Sequence, residues 1–158
     1  MTRKKIIKIA LILIGVSAII GGGVVYYMFN MPHRDVQATK TDYSLKASAI
    51  VNEYFADANK ANEKYLDSEG ESKVLEVQGV VYDITDDFNN NKVVRLKSDE
   101  EKAGVSCTFT AEGNASVANL KKGDVLTVKG VIRSGAAFDS DLDMYEDVIM
   151  EKCSLVSK

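Results

Sequence analysis

Two cysteines, one histidine and a dense run of carboxylates are the side chains best suited to chemistry in this 158-residue chain. A single His, at position 33, excludes His-based triads, multi-His metal centres and zinc-hydrolase motifs. Cys107 and Cys153 form no C-x-x-C pair, which disfavours catalytic redox chemistry. Cys107 alternates with Val105 and Phe109, and Cys153 with Leu155, so both sulfurs are expected to face an apolar interior. Asp139, Asp141, Asp143, Glu146 and Asp147 place carboxylates at near-alternate positions, as calcium loops do. Counted from Asp139, however, position six is Met144 rather than Gly and position twelve is Met150 rather than Glu. A solvated acidic loop is the stronger reading, with weak cation binding at Asp139, Asp141 and Asp143 as the other. There is no Gly-rich phosphate loop and no G-x-S-x-G, and the sequence alone establishes no carboxylate pair. The chain therefore reads as a non-enzyme without a cofactor.

Charge separates the chain into two parts. Arg3, Lys4, Lys5 and Lys8 precede the first acid, Asp35, whereas beyond residue 30 there are 16 basic residues against 23 acidic ones, a net charge of −7. Such a balance opposes partners held by phosphate contacts, which need Lys and Arg to displace counterions. Residues 1–8 read as a cytoplasmic basic tail and residues 9–29, which carry no charge, as a transmembrane signal anchor. A helix of that length spans about 30 Å. The positive-inside rule then keeps the N-terminus in the cytoplasm of a bacterium and sends the rest of the chain across the inner membrane. A cleaved signal peptide is the competing reading, but Val16-Ser17-Ala18 fits a cleavage site only loosely. A lipoprotein is not expected, because no Cys lies just past the apolar core.

These features need a scaffold. Residues 30–43 lack apolar periodicity, contain the only Pro and read as a linker. Over 44–69 apolar residues recur mostly three or four apart, including Leu45, Ala49, Tyr54, Phe55, Ala58, Ala61 and Tyr65. This predicts one long amphipathic helix with Ser44 as its N-cap and Gly70 as its stop. Its stripe is expected to pack on the domain's own core rather than on a partner. Past Gly70 the period falls toward two, predicting strands at 74–84, 92–97, 105–110, 125–133 and 148–156, with a short helical turn near 115–120. Leu75-Glu76-Val77-Gln78-Gly79-Val80-Val81 matches Leu126-Thr127-Val128-Lys129-Gly130-Val131-Ile132 in its apolar positions and its central Gly. Two such glycines suggest bulges or bends in strands that curl around a small closed barrel at 73–157.

The run Asn119-Leu120-Lys121-Lys122-Gly123-Asp124-Val125-Leu126-Thr127-Val128-Lys129-Gly130, with the closing segment Met150-Glu151-Lys152-Cys153-Ser154-Leu155, resembles the tRNA anticodon-binding-like OB-fold family. That family includes small membrane-anchored or exported bacterial proteins. The resemblance implies a mainly β fold, a five-stranded OB-fold barrel preceded by an amphipathic α-helix. It also implies that the third and fifth strands are neighbours, which brings Cys107 near Cys153. Outside the cytoplasm a disulfide is then open to them, the alternative being two buried thiols. An OB-fold ligand face needs aromatics beside outward polar groups. Phe88, Phe138 and Tyr145 lie in or near the loops that edge such a face, and Arg95, Lys97 and Thr108 are expected to project from its strands. The sequence thus reads as a membrane-anchored binding module for a protein or other envelope component. Single-stranded nucleic acid, or a small ligand or oligosaccharide at the barrel mouth, are the alternatives.

Overall fold

A long uncharged run favours helix, the structure that satisfies every backbone amide within its own segment. Helix α1 (Arg3–Phe29) is the result. Within it, Ile7–Phe29 has a mean hydropathy of 2.4 and, among the described residues, is the one stretch long and apolar enough to cross a bilayer. The computed structural model describes residues 3–30, 34–67 and 71–158, divided into two units, Met1–Arg34 and Asp35–Lys158. His33 and the Gly70 stop lie outside the described residues.

In chain order the second unit contains β1 (Tyr43–Lys46), α2 (Ala47–Ala56), α3 (Ala58–Tyr65), β2 (Val74–Asp86), β3 (Lys92–Leu96) and β4 (Val105–Phe109). It continues with α4 (Asn114–Val117), β5 (Val125–Ser134), β6 (Ala137–Asp139), β7 (Met144–Glu146) and β8 (Val148–Ser157). The first half of β2 pairs antiparallel with β5, from Val74↔Val131 to Val80↔Val125. Its second half, past a bulge between Val81 and Asp83, pairs antiparallel with β3. One strand shared between two neighbours in this way curls the sheet. Antiparallel β3–β4, parallel β4–β8 and antiparallel β8–β5 complete a closed five-stranded barrel. Val77, Val94, Leu96, Val105, Phe109, Leu126, Val128 and Met150 fill it, all fully or almost fully buried.

The two matched glycines have different duties. Gly130 sits at a register shift between β5 and β8, as a bulge requires. Gly79 pairs in regular register with Leu126. It allows close approach instead, since a Cβ there would lie 2.9 Å from Leu96 Cβ and 3.2 Å from Ala47 Cβ.

The segment before the barrel differs from the expected linker and single helix. From Asp35 onward the chain is laced to the barrel. Val36 is buried, Lys129 Nζ donates to the Gln37 and Thr39 carbonyls at 3.0 and 2.6 Å, and Gln37 Nε2 donates to the Lys152 carbonyl at 2.7 Å. Ser44 caps no helix, because Tyr43–Lys46 pairs parallel with Leu75–Gln78, covering an edge of β2 that β3 leaves open. The helix itself is broken at Asp57, whose backbone is extended (φ −162°, ψ 95°). Its carboxylate accepts the Lys60 N–H at 3.1 Å and so caps α3. Ala47, Ile50, Val51 and Tyr54 of α2 join the barrel core, so the stripe packs inward as expected.

Candidate functional site

The loop between β5 and β8, expected as an irregular acidic segment, folds into the β6–β7 hairpin. Asp139 directs its carboxylate to its own turn, accepting the N–H groups of Asp141 and Leu142 at 2.8 and 3.1 Å, and Asp143 adopts φ 51°. The spacing that suggested a cation loop is thus turn chemistry. Among the described residues no group of three or more carboxylate, His or Cys side chains is gathered for a metal, those of Asp139, Asp141 and Asp143 included.

Phe138 and Tyr145 are cross-strand partners in this hairpin, their ring centroids 4.8 Å apart. Phe55 of α2 meets Tyr145 edge-on at 5.6 Å. Lys102 donates to the Tyr145 hydroxyl at 3.1 Å and lies 4.9 Å from the ring centroid. Phe55, Phe138, Met144 and Leu142 remain 41, 48, 49 and 68% exposed. Beside these rings a cavity of about 430 Å³ opens between α2 and the loop before β4, lined by Ser48, Val51, Asn52, Phe55, Lys102 and Tyr145 among others. The same hairpin carries Asp139, Asp141, Asp143 and Glu146, with Asp139 and Glu146 one rung away from the Phe138–Tyr145 pair and so on the opposite face.

Arg95 is tied to the hairpin's end. Its Nη2 donates to Asp147 Oδ1 at 2.9 Å. Its Nε stands 2.5 Å from Oδ2 as an ionic contact rather than an aligned hydrogen bond. Asp147 Oδ1 also accepts the Gly104 N–H at 2.7 Å, so one carboxylate ties the hairpin's end to β3 and to the loop before β4. Lys97 turns elsewhere. It lies 4.6 Å from the Tyr82 centroid, with Lys122 at 4.4 Å and Arg95 at 5.6 Å around the same ring. Thr108 projects from β4 opposite Val93, one rung along the same face from the Arg95–Ser106 pair. Phe88 stands fully exposed in the β2–β3 turn and has no ring contact with the others among the described residues.

Of the six expected ligand residues, the structure brings Phe138 and Tyr145 together and ties Arg95 to the end of their hairpin through Asp147. It leaves Lys97, Thr108 and Phe88 apart. Phe55 and Lys102 were missed, and Asp147 was legible only as part of the acidic run. A signal for Phe55 existed, because the same helical face carries Ser48 and Asn52, and a large aromatic among polar neighbours is an anomaly. Cys107 and Cys153 are both fully buried, with their thiols in hydrogen-bonding contact. Burial pushes the Cys153 thiol well above its ordinary pKa, and the neighbouring Cys107 adds to this.

The model of the tRNA_anti-like family matches residues 1–140. The chain belongs to that family. Membership makes it an OB-fold binding module rather than an enzyme. Among solved structures it is similar to a lipoprotein from Klebsiella pneumoniae described as a candidate nucleic acid-binding protein. Identity is 19% over 80% of this chain and 99% of that one, with a TM-score of 0.53, a likeness that shows the fold. An OBody bound to hen egg-white lysozyme is 20% identical over 54% of this chain and 83% of its own (TM-score 0.38). Asparaginyl-tRNA synthetase from Entamoeba histolytica is 16% identical over 54% of this chain and 21% of its own (TM-score 0.35). No curated protein matches.

Proposed function

We propose that this tRNA_anti-like protein is a single-pass, membrane-anchored module whose barrel lies outside the cytoplasm and binds a protein or other envelope component. One observation carries the reading: the Phe55–Tyr145–Phe138 cluster, with Phe55 and Phe138 exposed, on an acidic hairpin whose end Arg95 and Asp147 hold in place. Aromatic anchors are what protein interfaces use, and the acidic composition of the hairpin favours a basic partner surface. Arg95, Lys92, Arg133, Lys122 and Lys158 each pair with a carboxylate of the chain, which reduces what they offer to phosphate.

Single-stranded nucleic acid is the second reading, favoured by Tyr82 with three cations around its ring and by the description of the Klebsiella relative. A photo-crosslinking amino acid placed at Phe138 of the full chain in cells, with the same group at Lys60 as control, tests the first reading. A discrete protein adduct at 138 alone, lost on Phe55→Ala, is expected. Equal labelling at both positions, or nucleic acid as the adduct at 138, overturns it.

A further inference from the structure

We propose that Cys107 and Cys153 form a structural disulfide locking β4 to β8, installed during folding by a disulfide-donating thiol oxidoreductase of the compartment beyond the membrane. The chain's two cysteines lie on the parallel strand pair that closes the barrel. Strict alternation from buried Val148 and Met150 would turn Lys152 inward and Cys153 outward. Instead the register shifts along this pair, and Lys152 takes φ 53°, which adds a residue to β8 and turns Cys153 in. Gly130 leaves room for the sulfur, since a Cβ there would lie 2.8 Å from Cys153 Sγ. A bulge and a glycine on different strands therefore converge on seating this sulfur against Cys107.

Both thiols are fully buried and Cys153 holds its proton tightly, so the closed barrel offers no reactive thiolate. The bridge forms while the barrel is still open. The thiolate of one cysteine attacks the donor disulfide, giving a mixed disulfide and releasing one donor thiol. The second cysteine's thiolate then displaces the other donor thiol. Two thiols of the chain are oxidised and one donor disulfide is reduced, its sulfurs taking both electrons and both protons.

The oxidant rests on the extracytoplasmic placement proposed above and the pairing rests on geometry, so the two are tested apart. The full chain in detergent micelles is reduced, unfolded and refolded with either a mixture of oxidised and reduced glutathione or dithiothreitol alone, then denatured and treated with a maleimide. The glutathione sample is expected to take up no maleimide, to yield a proteolytic fragment linked through Cys107 and Cys153, and to melt several degrees above the dithiothreitol sample. Cys107→Ala combined with Cys153→Ala removes that redox-dependent difference. Maleimide on both cysteines of the glutathione sample, or a stable glutathione adduct on one, overturns the pairing. Rapid bridging of the already folded, reduced chain overturns its formation before closure. A C-terminal compartment reporter reads the placement independently.

Discussion

Tyr54 packs so tightly that its environment dictates both its neighbour and its ionisation. A Cβ at position 135 would lie 1.9 Å from the ring's Cε1. Gly135→Ala is therefore expected to destabilise the protein by about 3 kcal/mol through overpacking. A urea-unfolding double-mutant cycle with Tyr54→Ala should show coupling between the two positions, and additive effects would count against the contact. The Tyr54 hydroxyl is buried without a hydrogen-bond partner among the described residues, so Tyr54→Phe is expected to stabilise by about 1 kcal/mol. Burial first, then the charges of Tyr65 and Glu53, push this phenol from 10.0 up to about 12. Because the unfolded chain releases the proton at lower pH, the stability linked to Tyr54 is whole below pH 10.0 and is lost as pH rises toward about 12. Alkaline unfolding curves should flatten over that window in Tyr54→Phe. Glu53 responds at the other end of the scale. Burial raises its pKa, but the hydrogen bonds from Lys64 and Tyr65 and the Lys64 charge outweigh this and hold it below its ordinary 4.5. Its contribution is lost as pH falls through that lowered value.

Elements whose residues obey one period throughout were legible in the sequence, and those set by distant partners were not. The five barrel strands were legible from their alternation, which holds best in β3, β4 and β5 and slips at the bulges of β2 and β8. The turn at 121–124 opens β5 as its Gly-Asp chemistry dictates, with Gly123 at φ 93°. Tyr43–Lys46 fits a helical stripe locally, yet it becomes a strand because β2 offers an open edge, a demand from some thirty residues away. The β6–β7 hairpin was hidden because its carboxylates mask a short alternation, and Phe55 was absorbed into the helical stripe although it faces outward. The break at Asp57 was likewise hidden by periodicity that continues across it, and its test is local. Asp57→Ala is expected to cost about 1 kcal/mol, read by urea unfolding, because the Lys60 N–H loses its acceptor. Arg95 poses a sharper case, since sequence reasoning placed it on the ligand face while its guanidinium is engaged by Asp147. The Asp147 side chain is only 12% exposed, so Arg95→Ala strands a carboxylate and is expected to cost roughly 2 kcal/mol. Lys97→Ala, removing a cation with no ion-pair partner among the described residues, should change stability by less than about 0.5 kcal/mol. Equal effects from the two substitutions would show that the Arg95–Asp147 pair does not hold the hairpin.

Charge distribution along the chain connects location to ligand. Four basic residues stand among the first eight, ahead of the uncharged run 9–29, and the net charge beyond residue 30 is −7, an asymmetry that fits the proposed N-terminus in the cytoplasm and domain sent across. The same acidity weakens any hold on phosphate, whose affinity comes from released counterions. If nucleic acid were the partner, the full chain in micelles should bind a fluorescein-labelled oligodeoxythymidine at low salt, with affinity falling steeply as salt rises, and Tyr82→Ala should weaken it. The protein-docking reading predicts no saturable binding at any salt, with Tyr82→Ala silent and Phe138→Ala altering only protein crosslinks. Placement is decided by a compartment-sensitive reporter fused after Lys158. Activity as an alkaline phosphatase fusion, inactive in the cytoplasm, is expected. The fused domain should also be degraded by protease added outside spheroplasts. A reporter active only in the cytoplasm would remove the compartment that supplies the oxidant for Cys107 and Cys153. It would leave the pairing geometry intact, and would bring the ring of cations around Tyr82 into contact with RNA.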